Sequence, residues 1–284
     1  MQCLNINRVM VNKIFHIADI HIPNNNDKRP YKDMLKVFLD TLEKRVSEYG
    51  KDSVRIVIVG DTFHSKVRIS NEAMASFHYM LNRLNNIATT YIIAGNHDML
   101  ENNLDRMDSI TPTFEITNVY PHVYYLDKEC QYKSACIPDD NVIFALYSMH
   151  DKFAIPDIET ARALRPNSKV IGLYHGDTAG SVTDLGRKSE SGISHDDFKG
   201  CDCVMAGHIH KYQEINVDGM PIVYAGSLFQ QDLGENVSGH GFVEWDIPTM
   251  QYRHIPVDND YRYFKISVRD YEDIREDKEK QKNK

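Results

Sequence analysis

Short apolar runs that stop at an acid, an amide or a histidine recur along this chain, and helical periodicity fills the spaces between them. "KIFHIAD" (13–19), "SVRIVIVGD" (53–61) and "TTYIIAGNHD" (89–98) read as strands, the second so continuously β-branched that both its faces must be covered. Between them, Leu35, Phe38, Leu39, Leu42 and Val46 recur at helical spacing within 31–50, with Gly50 as the stop. Residues 70–87 predict a second helix, capped by Ser70 or Asn71 and with Glu72 in its first turn. The alternation continues with strands at 141–149, 168–175 and 201–207 and a short helix at 155–165. From Tyr212 the texture changes to strands and turns: "YQEINVDGMPIVYAGS" with a hairpin at Val217–Met220, then "GFVEWDIPTMQYRHIPV", then "YRYFKISV". The pattern predicts two sheets packed face to face with helices outside.

Composition changes this picture little. The 284 residues are 42% hydrophobic and 26% charged, enough for a real core, and no apolar run reaches the ~18 residues a membrane span needs. The N-terminal stretch lacks the features of a secretory signal, and the five cysteines are odd in number, so reduced structural thiols in a cytoplasmic or nucleoid-associated protein are expected. The formal charge of -8 argues against a broad basic nucleic-acid surface, but not against phosphates gripped through a metal centre. The Gly- and Ser-rich stretch 176–200 reads as a functional or mobile loop, and the charged tail 269–284 as a solvated end.

The chemistry collects at strand ends. In open α/β sheets the groups beyond the carboxyl ends of parallel strands gather in one crevice. Here those ends carry Asp19 and His21, Asp61 and His64, Asn96, His97 and Asp98, His175, and His208 and His210. Taken alone, the "GHIH" stretch (207–210) is a wet strand face or half of a metal site; with the other ends it becomes half of a metal site. Mixed carboxylate, imidazole and amide donors suit manganese, iron or zinc better than calcium or magnesium. The donors are too many for one ion, so two are expected, ~3.5–4 Å apart, with Asp61 as the natural bridge. Such a pair yields a hydroxide nucleophile at neutral pH and neutralises phosphate oxygens, as phosphoester hydrolysis requires.

In their order, D-x-H, G-D, G-N-H-D, a lone His and G-H-x-H resemble the five blocks of the calcineurin-like metallophosphoesterases, over residues 19–210. That resemblance implies a four-layer α/β/β/α sandwich with two mixed β-sheets. It also implies one metal on Asp19, His21, Asp61 and His210 and a second on Asp61, Asn96, His175 and His208, with Ile209 turned toward the core. His97 would then protonate the leaving oxygen. "IFHIADIHI", "GDTFH" and "YAGSLFQQDLGE" (224–235) further resemble the SbcD and meiotic-recombination-eleven DNA repair nucleases, whereas the Arg of the phosphoprotein phosphatase block is absent. This likeness implies a nuclease domain over 1–257, then 258–284 as the start of a cap or partner-binding segment. "DIHIP" lacks the Leu-Gly that usually follows D-x-H in that family. It implies a Mn2+-dependent nuclease (Fe2+ or Zn2+ being alternatives) that degrades duplex 3′ ends and cuts single strands or hairpins. Its partners would be DNA, an SMC-like coiled-coil ATPase of the SbcC type, and a second copy in a homodimer. His64 would help to place the DNA backbone, and Lys28, Arg29, Arg187 and Lys188 are candidate phosphate contacts. A small-substrate phosphodiesterase, or a non-catalytic metal-bound subunit recruiting the ATPase, are the other readings. His16 is expected to be a satisfied core histidine and His150 an ordinary loop residue; His78, His122, His240 and His254 carry no motif.

Overall fold

The computed structural model describes residues 9–24, 29–115, 119–183, 185–189 and 192–266. One six-stranded sheet holds β1 (Lys13–Ile17), β2 (Val54–Val59), β3 (Thr89–Ile93), β4 (Val123–Tyr125), β11 (Gly241–Asp246) and β12 (Gln251–Pro256), in the order β12-β11-β1-β2-β3-β4. The other holds β5 (Ala135–Asp139), β6 (Val142–Tyr147), β7 (Lys169–His175), β8 (Cys203–Gly207), β9 (Gln213–Val217) and β10 (Met220–Tyr224), in the order β5-β6-β7-β8-β10-β9. Both sheets are mixed. β1 to β4 run parallel to one another while β11 pairs antiparallel with β1; β6, β7, β8 and β10 run parallel, with antiparallel β5 and β9 at the edges.

Side-chain alternation sorts the apolar residues into three layers. Phe15, Ile17, Ile56 and Ile58 face α1 (Tyr31–Ser47) and α2 (Asn71–Ile87), which cover the first sheet with Phe38, Leu42, Phe77 and Leu81. Ile14, Ala18, Val57 and Val59 face the other way, against Leu146, Leu173 and Met205 of the second sheet. Ala145, Val170 and Ala206 point outward to Ile158 of α5 (Ile158–Leu164) and to Phe198. Three apolar layers between four layers of structure are the expected α/β/β/α sandwich.

Most local signals are realised where the sequence puts them. Ser70, not Asn71, caps α2, its side-chain oxygen accepting the Ala73 N–H at 3.1 Å. Asp218 and Gly219, with φ of 51° and 92°, form the two-residue turn between β9 and β10, as their left-handed tolerance allows. Other elements depart from expectation. β4, β5, α3 (Thr111–Phe114) and α4 (Leu126–Glu129) carry too few apolar residues to announce themselves; β5 is a half-exposed edge whose pairing partner, β6, defines it. The strand expected in "YRYFKISV" does not form over its described part, 261–266, which runs irregularly across the molecule. Among the described residues no helix is long and apolar enough to cross a membrane.

Candidate metal centre

The two sets of parallel strands release their chains at the same end, and each release is sharply bent. Asp19, His21, Asp61 and His208 all adopt positive φ (51°, 50°, 51° and 92°). L-residues avoid that region at a cost of order 1 kcal/mol each, so the surrounding fold must hold them there. Tight glycines make the approach possible. A Cβ on Gly95 would lie 2.2 Å from the Asp61 backbone nitrogen, so only glycine lets the β2 and β3 ends come so close.

The expected side chains meet. Potential ligand atoms of Asp19, His21 and His210 fall within 4.8 Å of one another, as do those of Asp61, His175 and His208. His21 Nε2 and His210 Nε2 stand 3.0 Å apart. Asp61 divides its carboxylate between the groups, Oδ2 lying 3.5 Å from His21 Nε2 and Oδ1 3.3 Å from His175 Nε2. The Asn96 carbonyl oxygen lies 3.2 Å from His175 Nε2 and 2.9 Å from His208 Nδ1. Ile209, 3% exposed, turns into the core between the two histidines.

The electrostatics fit divalent cations. Burial opposes a charge on His175 and His210, yet the carboxylates outweigh it and lift both rings to about 9, Asp61 acting on the first and Glu235 on the second. Burial also pushes Asp19 up to about 6 and draws His21 well below the usual imidazole range. Asp61 is buried too, but the neighbouring His175 charge holds its carboxyl below the usual range. The cleft therefore calls for positive charge, which bound metal supplies in place of the ring protons. The buried Nδ1 of His21 finds no hydrogen-bond partner, another sign that protein groups alone do not satisfy the site. Divalent ions fit this donor set.

Two histidines flank the ligands. The backbone N–H of His97 donates to Asp61 Oδ1 at 2.7 Å, and its Nδ1 donates to the His64 carbonyl at 2.7 Å. Its ring centroid is 4.8 Å from that of His21, and His21, Asp61 and His97 form a third group of converging ligand atoms that the sequence reading had not anticipated. His64 is exposed, its ring 5.5 Å from His21 and 5.8 Å from His97.

Three acidic residues to which the sequence assigns no role support the site. Asp98, fully buried, accepts the N–H groups of Thr62, Phe63 and Gly95 at 3.1, 2.9 and 2.9 Å, clamping the β2 end to the β3 end. Glu235 accepts His210 Nδ1–H at 2.7 Å. Asp177, at the head of the 176–200 loop, lies 3.7 Å from His208 Nε2. Asp98 and Glu235 both sit inside motifs already singled out, as the last letters of "GNHD" and "YAGSLFQQDLGE"; Asp177 had no such signal.

The remaining candidates lie further out. Arg187 and Lys188 are exposed, in the loop that a Val182–Lys188 bridge closes. Arg29 is engaged within the protein, its guanidinium donating to the Gln230 carbonyl at 2.5 Å and lying 4.3 Å from the Tyr263 ring centre. Lys28 and the tail from 267 lie outside the described residues. His16 is buried as expected, the Ala206 backbone against its ring giving at most a poorly aligned hydrogen bond. His150 is no loose loop residue, because its nearly buried ring lies 3.3 Å from the Asp108 carboxylate.

A mimivirus protein (Acanthamoeba polyphaga mimivirus), described only as uncharacterized protein R555, is 33% identical over 267 residues; the match covers 90% of this chain but 19% of that relative. Three solved structures resemble it more distantly. A novel archaeal phosphodiesterase shares 13% identity at a TM-score of 0.40, covering 86% of this chain and 99% of its own. Zinc-bound Vps29 from Entamoeba histolytica shares 15% at 0.40, covering 84% and 88%. A 5′-nucleotidase homologue from Staphylococcus aureus shares 15% at 0.49, covering 95% and 58%. Residues 12–212, which include every ligand candidate from Asp19 to His210, match the calcineurin-like phosphoesterase family, and the chain belongs to it.

Proposed function

We propose that this metal-dependent phosphoesterase is a DNA nuclease, acting on duplex 3′ ends and on single strands or hairpins during break repair or recombination. The observation that carries the reading is the role of Glu235. It closes the segment "YAGSLFQQDLGE", whose likeness to the repair nucleases lies beyond the family match at 12–212, and it hydrogen-bonds the ligand candidate His210. That hydrogen bond supports the reading by setting the end of the segment beside the site.

Asp19, His21, Asp61 and His210 would hold one ion and Asp61, Asn96, His175 and His208 the other, with Asp61 shared. When bound, two divalent ions, manganese by the likeness to the repair nucleases, would supply positive charge to phosphate oxygens and acidify water. The protein's own groups do the rest. The His64 carbonyl accepts the His97 Nδ1–H, which leaves Nε2 as the nitrogen through which the ring would carry a proton to the leaving oxygen. His64 stands beside it on the exposed rim to steady the DNA backbone, and Arg187 and Lys188 extend the contact to phosphates. An SMC-like ATPase and a second copy of the chain are the partners that go with this reading, through the segment after 257.

The test is cleavage of 3′-labelled duplex and hairpin DNA in Mn2+ or Mg2+, beside a small chromogenic phosphodiester. Cleavage of DNA in Mn2+ is expected. Turnover of the small ester with DNA left intact would replace this reading with a small-substrate phosphodiesterase.

A further inference from the structure

Glu235 is nearly buried, at 7% exposure, and everything around it fixes its carboxylate. Oε1 takes the His210 Nδ1–H at 2.7 Å, while Oε2 accepts the Ser227 hydroxyl at 3.1 Å and the Gln231 N–H at 2.9 Å. Ser227 is itself pinned, its N–H donating to the His210 carbonyl at 2.8 Å and its oxygen lying 2.9 Å from His240 Nδ1. With Nδ1 committed to Glu235, the His210 ring can present only Nε2 to the cleft, and Nε2 is the atom that faces His21.

A second set of bonds ties this loop to the chain after β12. Gln230 Nε2 donates to the Tyr263 carbonyl at 3.2 Å, and Gln230 Oε1 accepts the Tyr263 N–H at 2.8 Å. The Gln230 amide thus pairs with one backbone unit as a neighbouring strand would. Gln230 Nε2 also reaches the Glu235 carbonyl, and Arg29 closes the arrangement by bonding the Gln230 carbonyl under the Tyr263 ring. The irregular 258–266 segment is therefore braced against the loop that aims His210.

We propose that Glu235 is a positioning residue for the metal-binding ring of His210, and that Gln230 and Tyr263 brace it, so that the segment after β12 acts on one metal site and not on the other. The selectivity follows from the layout. Glu235 touches the Asp19, His21 and His210 group, whereas His175 is oriented independently through Nδ1–H to the Val59 carbonyl at 2.8 Å. Carboxylates that orient a ligand imidazole are typically worth ~10–100-fold in metal affinity. This proposal rests on the two-metal reading of the site but not on its substrate.

The experiment is a Mn2+ titration of the metal-free full chain, by calorimetry and electron paramagnetic resonance, for wild type, Glu235→Ala, Glu235→Gln and Gln230→Ala. In Glu235→Ala one of the two Mn2+ binding steps should weaken ~10–100-fold, the other staying within a few-fold of wild type, and the spin-coupled spectrum of a paired site should give way to that of a single ion. Glu235→Gln, whose amide oxygen can still accept from Nδ1–H, should recover part of the loss, and Gln230→Ala should weaken the same step to a smaller degree. Melting temperatures without metal separate misfolding from misplacement: a variant that melts as wild type yet loses one step supports the proposal. Equal weakening of both steps, or no weakening of either, overturns it. A chain that passes this test but leaves DNA uncut would sink the nuclease reading alone.

Discussion

The backbone N–H of His97 donates to Asp61 Oδ1 at 2.7 Å. The residue proposed to move a proton is thereby anchored through its main chain to the carboxylate proposed to bridge the metals. The anchor survives any change of the His97 side chain, so the ring can be removed without dismantling the site.

His97→Ala should therefore cut the rate by ~10²–10⁴ while leaving Mn2+ affinity within a few-fold of wild type. Single-turnover hydrolysis beside a metal titration checks this. A parallel collapse of metal affinity would make His97 a ligand instead, in keeping with its place among the converging atoms of His21 and Asp61.

Asp98 holds the backbone beneath the site, so its loss should be felt in stability. Asp98→Ala strands the buried N–H groups of Thr62, Phe63 and Gly95, at a cost of about 3 kcal/mol or more. Denaturant unfolding of the metal-free protein measures it. Asp98→Asn, which keeps one acceptor oxygen, should lose less; equal stability of all three proteins would show that the clamp contributes nothing.

Gly60 has φ of +77°, and a Cβ there would lie 2.1 Å from His175 Nδ1. Gly60→Ala should cost about 1–2 kcal/mol from backbone conformation alone. It should also push His175 off the Val59 carbonyl, weakening the metal step that depends on His175. That is the opposite selectivity to Glu235→Ala, and titrating the two variants side by side distinguishes the sites. Weakening of the same step in both would undo the assignment.

His16 is wholly buried, and burial, opposed only by the Ala206 backbone, pushes its ring down to about 3. The folded protein thus keeps it neutral while the unfolded chain protonates near 6.5. Its contribution to stability is complete above pH 6.5 and is lost as pH falls from there toward 3, by up to about 1.4 kcal/mol per unit. His16→Leu should flatten the dependence of unfolding free energy on pH in that window. Identical slopes in both proteins would mean the buried ring is protonated in the fold after all.

How much of this was legible beforehand depends on where each signal lives. The strands that lead into the site are continuous apolar runs, and α1 and α2 show helical spacing, so local burial wrote them into the sequence. β4 and β5 are not so written, since one is three residues long and the other a half-exposed edge that only its neighbour stabilises. Irregularity at 261–266 was also hidden. Tyr261 and Tyr263 alternate as in a strand, but the Tyr263 backbone pairs with the Gln230 side chain.

Residue type alone marked most of the metal-ligand candidates, because ligand chemistry is carried by residue type and because parallel strands release their ends on one side. How those side chains are aimed came from packing. Left-handed bends at Asp19, His21, Asp61 and His208, the Asp98 clamp and the Glu235 contact to His210 join groups tens to hundreds of residues apart. A hydrogen bond between Asp19 and His208 spans 189 positions and leaves no local pattern, since nothing in the neighbourhood of either residue is changed by it. Such bonds exist only once the two sheets have packed.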